Sequence, residues 1–480
     1  MEQYEDPKWM INQAVSLDYN YAMADFVGDR GLRAEELEAL TPKLAQVHEE
    51  LQAGRQSGKY AFLELPYDTG IIKQIHSLAK PLLDWCWEFV VLGLGGSALG
   101  AKALHQALCH PQHNMLPVGR KKHRPGLWVL DNVDPDYLYG MLDALNIKRV
   151  AVNVVSKSGA TPETLAQFLF LYRLLASRLG GVDKLEGRIF ITTDPDGGPL
   201  RELAKEKGFK SLVFPTRVGG RYSVLSAVGL FPAHLAGIDV EELLAGARFM
   251  DQRLQDSPVG ENLAYKLAAL YYLFFREKNR PILVTMPYAA GLTAMADWFA
   301  QLWAESLGKR LDLNGNLAET GSTPVRALGV TDQHSQLQLY MEGPHDKLIT
   351  FWSVGKFQHK LEIPSYFEEV DGWGYLGGHT LNELFQAEET ATAFHLMRAG
   401  RPNLTLDLPE VNPFVVGQLI YLLEVATVAA GGLLGVNPLD QPGVEGGKRT
   451  ASGLVGRPGY EDSRREVDEA APKLSKFMVK

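Results

Sequence analysis

From about residue 85 onward, short and very apolar runs alternate with longer segments of helical periodicity, and this alternation restricts the fold more than any other feature of the chain. The runs Glu88–Leu94, Leu127–Leu130, Arg149–Val155 and Arg188–Thr192 are rich in Val, Ile and Phe, as buried strands are. The clearest intervening helix is Pro162–Leu179. It places Leu165, Phe168, Leu169, Tyr172, Leu175 and Leu179 on one face, and Gly180-Gly181 ends it. Strands joined through helices run parallel and are covered on both faces. A second series starts at Pro281–Met286 and continues with a helix over Leu292–Leu307 and a strand near Leu348–Trp352. The interval 215–280 reads as mostly helical and connects the two series. The expected fold is α/β, with two domains, each a three-layer α/β/α arrangement of a parallel sheet flanked by helices.

A length of 480 residues suits two such domains. Residues 1–60 read as an N-terminal helical segment, with Leu32, Leu37, Leu40, Leu44, Val47 and Leu51 at roughly helical spacing. Residues 61–220 and 221–450 are the two α/β domains, and 451–480 is a tail, with a weak helix over Ser463–Lys480 interrupted by Pro472. The formal net charge of −9 gives no reason to expect nucleic acid or an anionic membrane as a partner, so an anionic substrate needs a positive field built locally. Cys86 and Cys109 are too few for a disulfide framework, and with no CxxC pair they read as two buried thiols in a reducing compartment. No metal site is expected. The acidic N-terminus lacks an apolar h-region. The stretch Phe414–Val436 is interrupted by Gln418 and Glu424 and fits a buried helix better than a membrane span. A cytoplasmic location is expected.

Two loops sit where open α/β sheets bind ligands, at strand ends. The first, VLGLGGSALG (Val91–Gly100), has glycines, Gly96 among them, that admit a ligand close to the backbone, and a hydroxyl on Ser97. A dinucleotide-binding turn would need an acidic residue about 20 positions on, and no Asp or Glu occurs from Ala101 to Leu130. The second, SKSGATPET (Ser156–Thr164), leaves a strand and opens a helix, with Thr161 at the cap and Pro162 in the first helical position. It offers free N–H groups, the positive end of a helix dipole, and the hydroxyls of Ser156, Ser158 and Thr161, as a phosphate cradle does. A plain capped turn is the alternative.

Groups for proton transfer come from the second half. Gln301 and Glu305 are four apart on one helix and share a face. Glu305 lies in the last turn, where the dipole disfavours a carboxylate anion and favours its taking up a proton, as a general base must. In GGRYSVLSAVG (Gly219–Gly229), Arg221 follows two glycines, a stiff setting for an oxyanion-stabilising guanidinium. The alternatives are a surface glutamate and a structural ion pair. His334 lies in VTDQHSQLQLY, and DQPGVEGGK gathers Gln441, Glu445 and Lys448 near helix-initiating signals.

These segments, taken in order, resemble the glucose-6-phosphate isomerase family over roughly residues 60 to 450. GGRYSVLSAVG and LDQPGVEGGK resemble its two long signatures, and the GGSxLG, SKSxxTxET, QLxxESLGK and QHSQ segments also match. The resemblance implies a pair of sugar-isomerase (SIS) domains and the reversible isomerisation of glucose 6-phosphate and fructose 6-phosphate through a cis-enediol, a step of glycolysis and gluconeogenesis. It implies that Gly96, Ser97, Ser156, Lys157, Ser158 and Thr161 hold the phosphate and nearby oxygens, that Glu305 is the base, and that Arg221 stabilises the intermediate. His334 and Lys448 would assist ring opening, and Glu163, Gln301 and Gln441 would position substrate. It also implies that no cofactor is needed, and that a homodimer shares its active sites through the histidine. Ala160 stands where many members have Thr, and Leu439 replaces an aromatic residue. An additional activity on mannose 6-phosphate, or a non-catalytic sugar-phosphate-binding role, are the neighbouring readings.

Overall fold

The computed structural model describes residues 2–479. The N-terminal segment is largely helical, as its periodicity predicts, and Leu44, Val47 and Leu51 of helix Thr41–Gln56 are buried. It also contains a strand, β1 (Ser16–Asp18), which at three residues is too short to show a pattern.

The first sheet consists of β2 (Glu88–Leu92), β3 (Gly126–Leu130), β4 (Val150–Val155), β5 (Ile189–Thr193) and β6 (Lys210–Val213), all parallel, in the order β3-β2-β4-β5-β6. Every residue of β4 is buried, so helices cover both faces. Val90, Leu92, Val152, Val154 and Ile191 pack against Phe168, Leu171 and Leu175 of helix Pro162–Leu179. That helix has the expected ends, but Leu169 is exposed rather than buried. The buried stripe runs through Thr164, Phe168, Leu171 and Leu175, and Leu169 lies one residue, about 100°, beyond it.

The second series adds β7 (Ile282–Pro287), β8 (Lys309–Leu311), β9 (Leu317–Thr320), β10 (Thr323–Arg326), β11 (Lys347–Lys356) and β12 (Asn403–Glu410). β8 and β9 form a separate antiparallel hairpin. The other four are parallel in the order β12-β11-β7-β10, and β1 runs antiparallel on the outer edge of β12. The two sheets share one topology. In each, the second strand lies on one side of the first and the third on the other, so the winding reverses between β2 and β4 and again between β7 and β11. Such reversals open a crevice at the carboxyl ends of the strands.

Helices Ala227–Leu235, Val240–Asp256 and Leu263–Arg276 fill the interval between the sheets, as expected. Helix Pro413–Leu434 is long and apolar enough to cross a membrane, but its apolar window is wholly buried in this fold. Within it, Glu424 is fully buried, its two carboxylate oxygens have no hydrogen-bond partner among the described residues, and burial pushes its carboxyl well above the usual range.

Residues 439–480 form a separate compact unit of helices Glu445–Leu454 and Glu461–Asp468. The last helix stops at Asp468 instead of continuing to the end, because Pro472 disfavours helical geometry just ahead of it.

Candidate active site

The glycine-rich loop and the Ser156 loop leave the carboxyl ends of β2 and β4, the two strands that flank the first winding reversal. Gly95 has φ +53°, a left-handed conformation suited to glycine, and the turn Gly95–Ser97 leads into helix Leu99–Leu108. Neither that helix nor Pro162–Leu179 has a side-chain cap at its N-terminus. Thr161 occupies the cap position as predicted, yet its hydroxyl pairs with Ser156 Oγ at 2.8 Å instead of capping. First-turn N–H groups at both loops are therefore left for an anion. Ser156 is buried, Ser97 and Thr161 are half-buried, and Ser158 is exposed. Lys157 donates to the Val218 carbonyl at 3.0 Å, and burial lowers its ammonium below the usual lysine range against the opposing pull of Asp194. Glu163 lies half-buried in the first turn of the following helix.

The glycine-rich loop meets the second half of the chain at close range. A Cβ on Gly96 would lie 2.1 Å from the Gly220 carbonyl carbon and 2.5 Å from Arg221 N, so the backbones touch where only glycine fits. A Cβ on Gly95 would lie 2.8 Å from Gln301 Nε2. Gln301 in turn donates to Glu305 Oε1 at 3.3 Å, and Arg221 Nη1 lies 3.2 Å from Glu305 Oε2. The predicted carboxylate, amide and guanidinium thus stand in one cluster beside the first loop. Arg221 is buried, and two neighbours to which the sequence reading gave no role fix it: Nε donates to Ser306 Oγ at 2.8 Å and Nη2 to the Pro438 carbonyl at 2.7 Å. Trp298 Nε1 holds the Arg221 carbonyl at 3.1 Å, and Lys309 Nζ donates to the Glu305 carbonyl at 2.6 Å. Glu305 keeps about a third of its side chain exposed, so this cluster has a rigid cation and an accessible carboxylate. Gln301 Oε1 is buried with no partner among the described residues, an acceptor available to a substrate hydroxyl.

His334 lies past β10, just after the turn Thr331–Gln333, and its side chain is exposed. The stretch Leu311–Thr323 before it is mostly the β8–β9 hairpin. In the unit 439–480, Gln441 precedes the turn Pro442–Val444, and Lys448 is exposed and paired with Glu445 at 2.8 Å.

Uncapped helix N-termini beside a carboxylate, a locked guanidinium and an amide suit an enzyme that moves a proton on an anionic substrate. The phosphoglucose isomerase family model matches residues 85–471. The glucose-6-phosphate isomerase of Carboxydothermus hydrogenoformans is 42% identical over 95% of this chain and 97% of its own length. That of Rubrobacter xylanophilus is 44% identical over 90% and 96%. A solved hypothetical protein from Thermus thermophilus is 37% identical with a TM-score of 0.81, covering 92% of this chain and 100% of its own. A glucose-6-phosphate isomerase structure from Chlamydia trachomatis, 20% identical with a TM-score of 0.68 over 98% and 87%, shares the fold. The chain belongs to the phosphoglucose isomerase family. It is an isomerase, and its reaction is the reversible interconversion of glucose 6-phosphate and fructose 6-phosphate.

Proposed function

We propose that Glu305 is the base that carries the proton between C2 and C1 of the open-chain sugar phosphate, and that Arg221 stabilises the negative charge of the cis-enediol intermediate. The observation that carries this assignment is the Glu305–Arg221–Gln301 cluster against the glycine-rich loop. A guanidinium held by Ser306 and Pro438 needs no reorganisation as charge develops, which is how a fixed cation lowers a barrier. Gly96, Ser97, Ser156, Lys157, Ser158 and Thr161 hold the phosphate, with Glu163, Gln301 and Gln441 as positioning residues. His334 and Lys448 assist ring opening. The segment 61–220 then supplies the phosphate loops, and 221–450 the groups for proton transfer.

His334 acts on the site of a second copy of the chain, in a homodimer. Exposed apolar side chains favour a subunit contact: Leu311, Leu313 and Leu317 on and beside the β8–β9 hairpin, and Tyr366, Phe367, Trp373 and Tyr375 beyond β11. The unpaired thiols Cys86 and Cys109 suit a cytoplasmic location.

The test is a coupled assay with fructose 6-phosphate and no added metal, on the native chain and on Glu305→Gln. The variant keeps shape but removes the base, so turnover falls at least about 10²-fold with KM little changed. Near-native turnover in the variant rules out Glu305 as the base.

A further inference from the structure

Helix Leu99–Leu108 begins at the glycine-rich loop and ends in a different cluster. His105 lies in its last turn, Cys109 follows as its C-terminal cap, and His113 opens the next turn, His113–Met115. One ligand-capable atom from each of the three lies within 4.8 Å of the other two. We propose that His105, Cys109 and His113 form a binding site for a borderline-soft divalent cation of the zinc class, separate from the isomerase site.

Three observations support it. The first is an orphan: His105 Nε2 is buried and has no hydrogen-bond partner among the described residues. Buried imidazole nitrogens are rarely left so, and a cation satisfies one outright. The second is the tautomer of His113. Its Nε2 lies 2.9 Å from the Pro125 carbonyl, a bond that only an Nε2–H can donate, so the lone pair is on Nδ1. A ring N–H donated to a backbone carbonyl is the arrangement that orients and fixes metal-binding histidines. The third is preorganisation. Asn114, next to His113, bonds both the N–H and the carbonyl of Leu127 in β3, at 2.8 and 2.7 Å, which anchors the turn to the sheet. At the other end, Gln106 bonds Ala290 and Ala294, which anchors the helix.

The donor set selects the ion. Two imidazoles and a thiolate suit zinc, whereas magnesium and calcium require oxygen ligands. Burial lowers both imidazoles below the usual histidine range, His105 to about 4. Burial raises the Cys109 thiol to about 12 in the free protein. Binding releases its proton to solvent as the sulfur becomes a thiolate ligand, and the weak contact from Sγ to the Ala236 carbonyl at 3.9 Å is given up. Zinc–ligand distances of about 2.0–2.3 Å require the three side chains to close by about 1 Å. Water completes the coordination from the half-exposed side of Cys109.

The test uses the full chain, stripped with a chelator and titrated with Zn²⁺ and with Co²⁺ as a spectroscopic probe. One equivalent should bind, and Co²⁺ should show a thiolate charge-transfer band that persists in Cys86→Ser and vanishes in Cys109→Ser. Zinc affinity should fall at least about 100-fold in Cys109→Ser and in His113→Ala, with fructose 6-phosphate turnover reporting that each variant is folded. In the unmutated chain, bound zinc should protect Cys109 from alkylation, read by peptide mass. A charge-transfer band that survives in Cys109→Ser, or Cys109 alkylated equally fast with and without zinc, overturns the proposal.

Discussion

The closest approach in the site is between Gly96 and the Gly220–Arg221 peptide, and it can be tested with one methyl group. In Gly96→Ala the new Cβ would lie 2.1 Å from the Gly220 carbonyl carbon and 2.4 Å from its oxygen, both backbone atoms. Carbon atoms in contact prefer about 3.5–4.0 Å, so one partner must move by more than about 1 Å. Arg221 is held at Nε by Ser306, at Nη2 by the Pro438 carbonyl and at its own carbonyl by Trp298, so the glycine-rich loop is the part that yields. A misplacement of about 1 Å in a positioning element costs on the order of 10²-fold in rate. Gly96→Ala should therefore lower kcat/KM by about 10²-fold. The matched control is Gly140→Ala, in helix Pro135–Ala144, where an added Cβ meets nothing within 4 Å. It should keep full activity and gain up to about 1 kcal/mol of helix stability. Activity is read by the coupled fructose 6-phosphate assay, and folding by circular dichroism and thermal melting. A folded Gly96→Ala enzyme within twofold of native kcat/KM would falsify the claim that this contact sets the site's geometry.

Replacing Ser156 and Thr161 by Ala removes a paired set of hydroxyls from the anion loop and should raise KM more than it lowers kcat, as steady-state kinetics would show. If His334 acts in trans, mixing inactive Glu305→Gln and His334→Ala variants should restore up to about one quarter of native activity, since about half of reassorted dimers are mixed and each has one intact site; no recovery after confirmed subunit exchange places the histidine in cis. Burial, helped by Asp407, raises the Glu389 carboxyl from 4.5 to about 7. The folded state therefore holds this proton more tightly than the unfolded one. Its contribution is fully present below about pH 4.5 and is lost as pH rises to about 7, on the order of 3 kcal/mol. Urea unfolding at pH 5 and pH 8 should show Glu389→Gln gaining stability relative to the native chain at the higher pH, and a parallel pH dependence in both proteins would contradict this.

What the sequence made legible follows from how local each signal is. The helix Pro162–Leu179 carries its own start and stop, and β4 is apolar throughout because both faces are covered, so both could be read directly. β6 begins with an exposed lysine at a sheet edge, and β12 contains Asp407 and Pro409, so neither shows a strand's composition. β1 is specified almost entirely by its partner. The chemical groups Glu305, Gln301 and Arg221 were legible from residue type and motif order. The hold of Ser306 and the Pro438 carbonyl on Arg221 was not, because it exists only through tertiary approach, although Ser306 itself stands in the QLxxESLGK segment. His105, Cys109 and His113 were not read as a metal site from the sequence, because they become a cluster only when the chain turns back after Leu108.

The pairing of β1 with β12 has a consequence for how the chain is made. Ser16 and Asp407 are neighbours across the sheet edge although 391 residues separate them. A ribosome releases the N-terminal strand first and its partner near the end of synthesis. The first sheet, drawn from residues 88–213, can assemble while translation continues, because its strands emerge within one contiguous stretch. The second sheet must wait, and until β12 arrives, β11 presents an open edge on which another nascent chain could pair. Closing so long a loop also places this step late and makes it slow. The short N-terminal strand is thus the last piece to engage although the first to be synthesised, and deleting residues 1–18 should show its effect as aggregation during expression before it shows any defect in the assay.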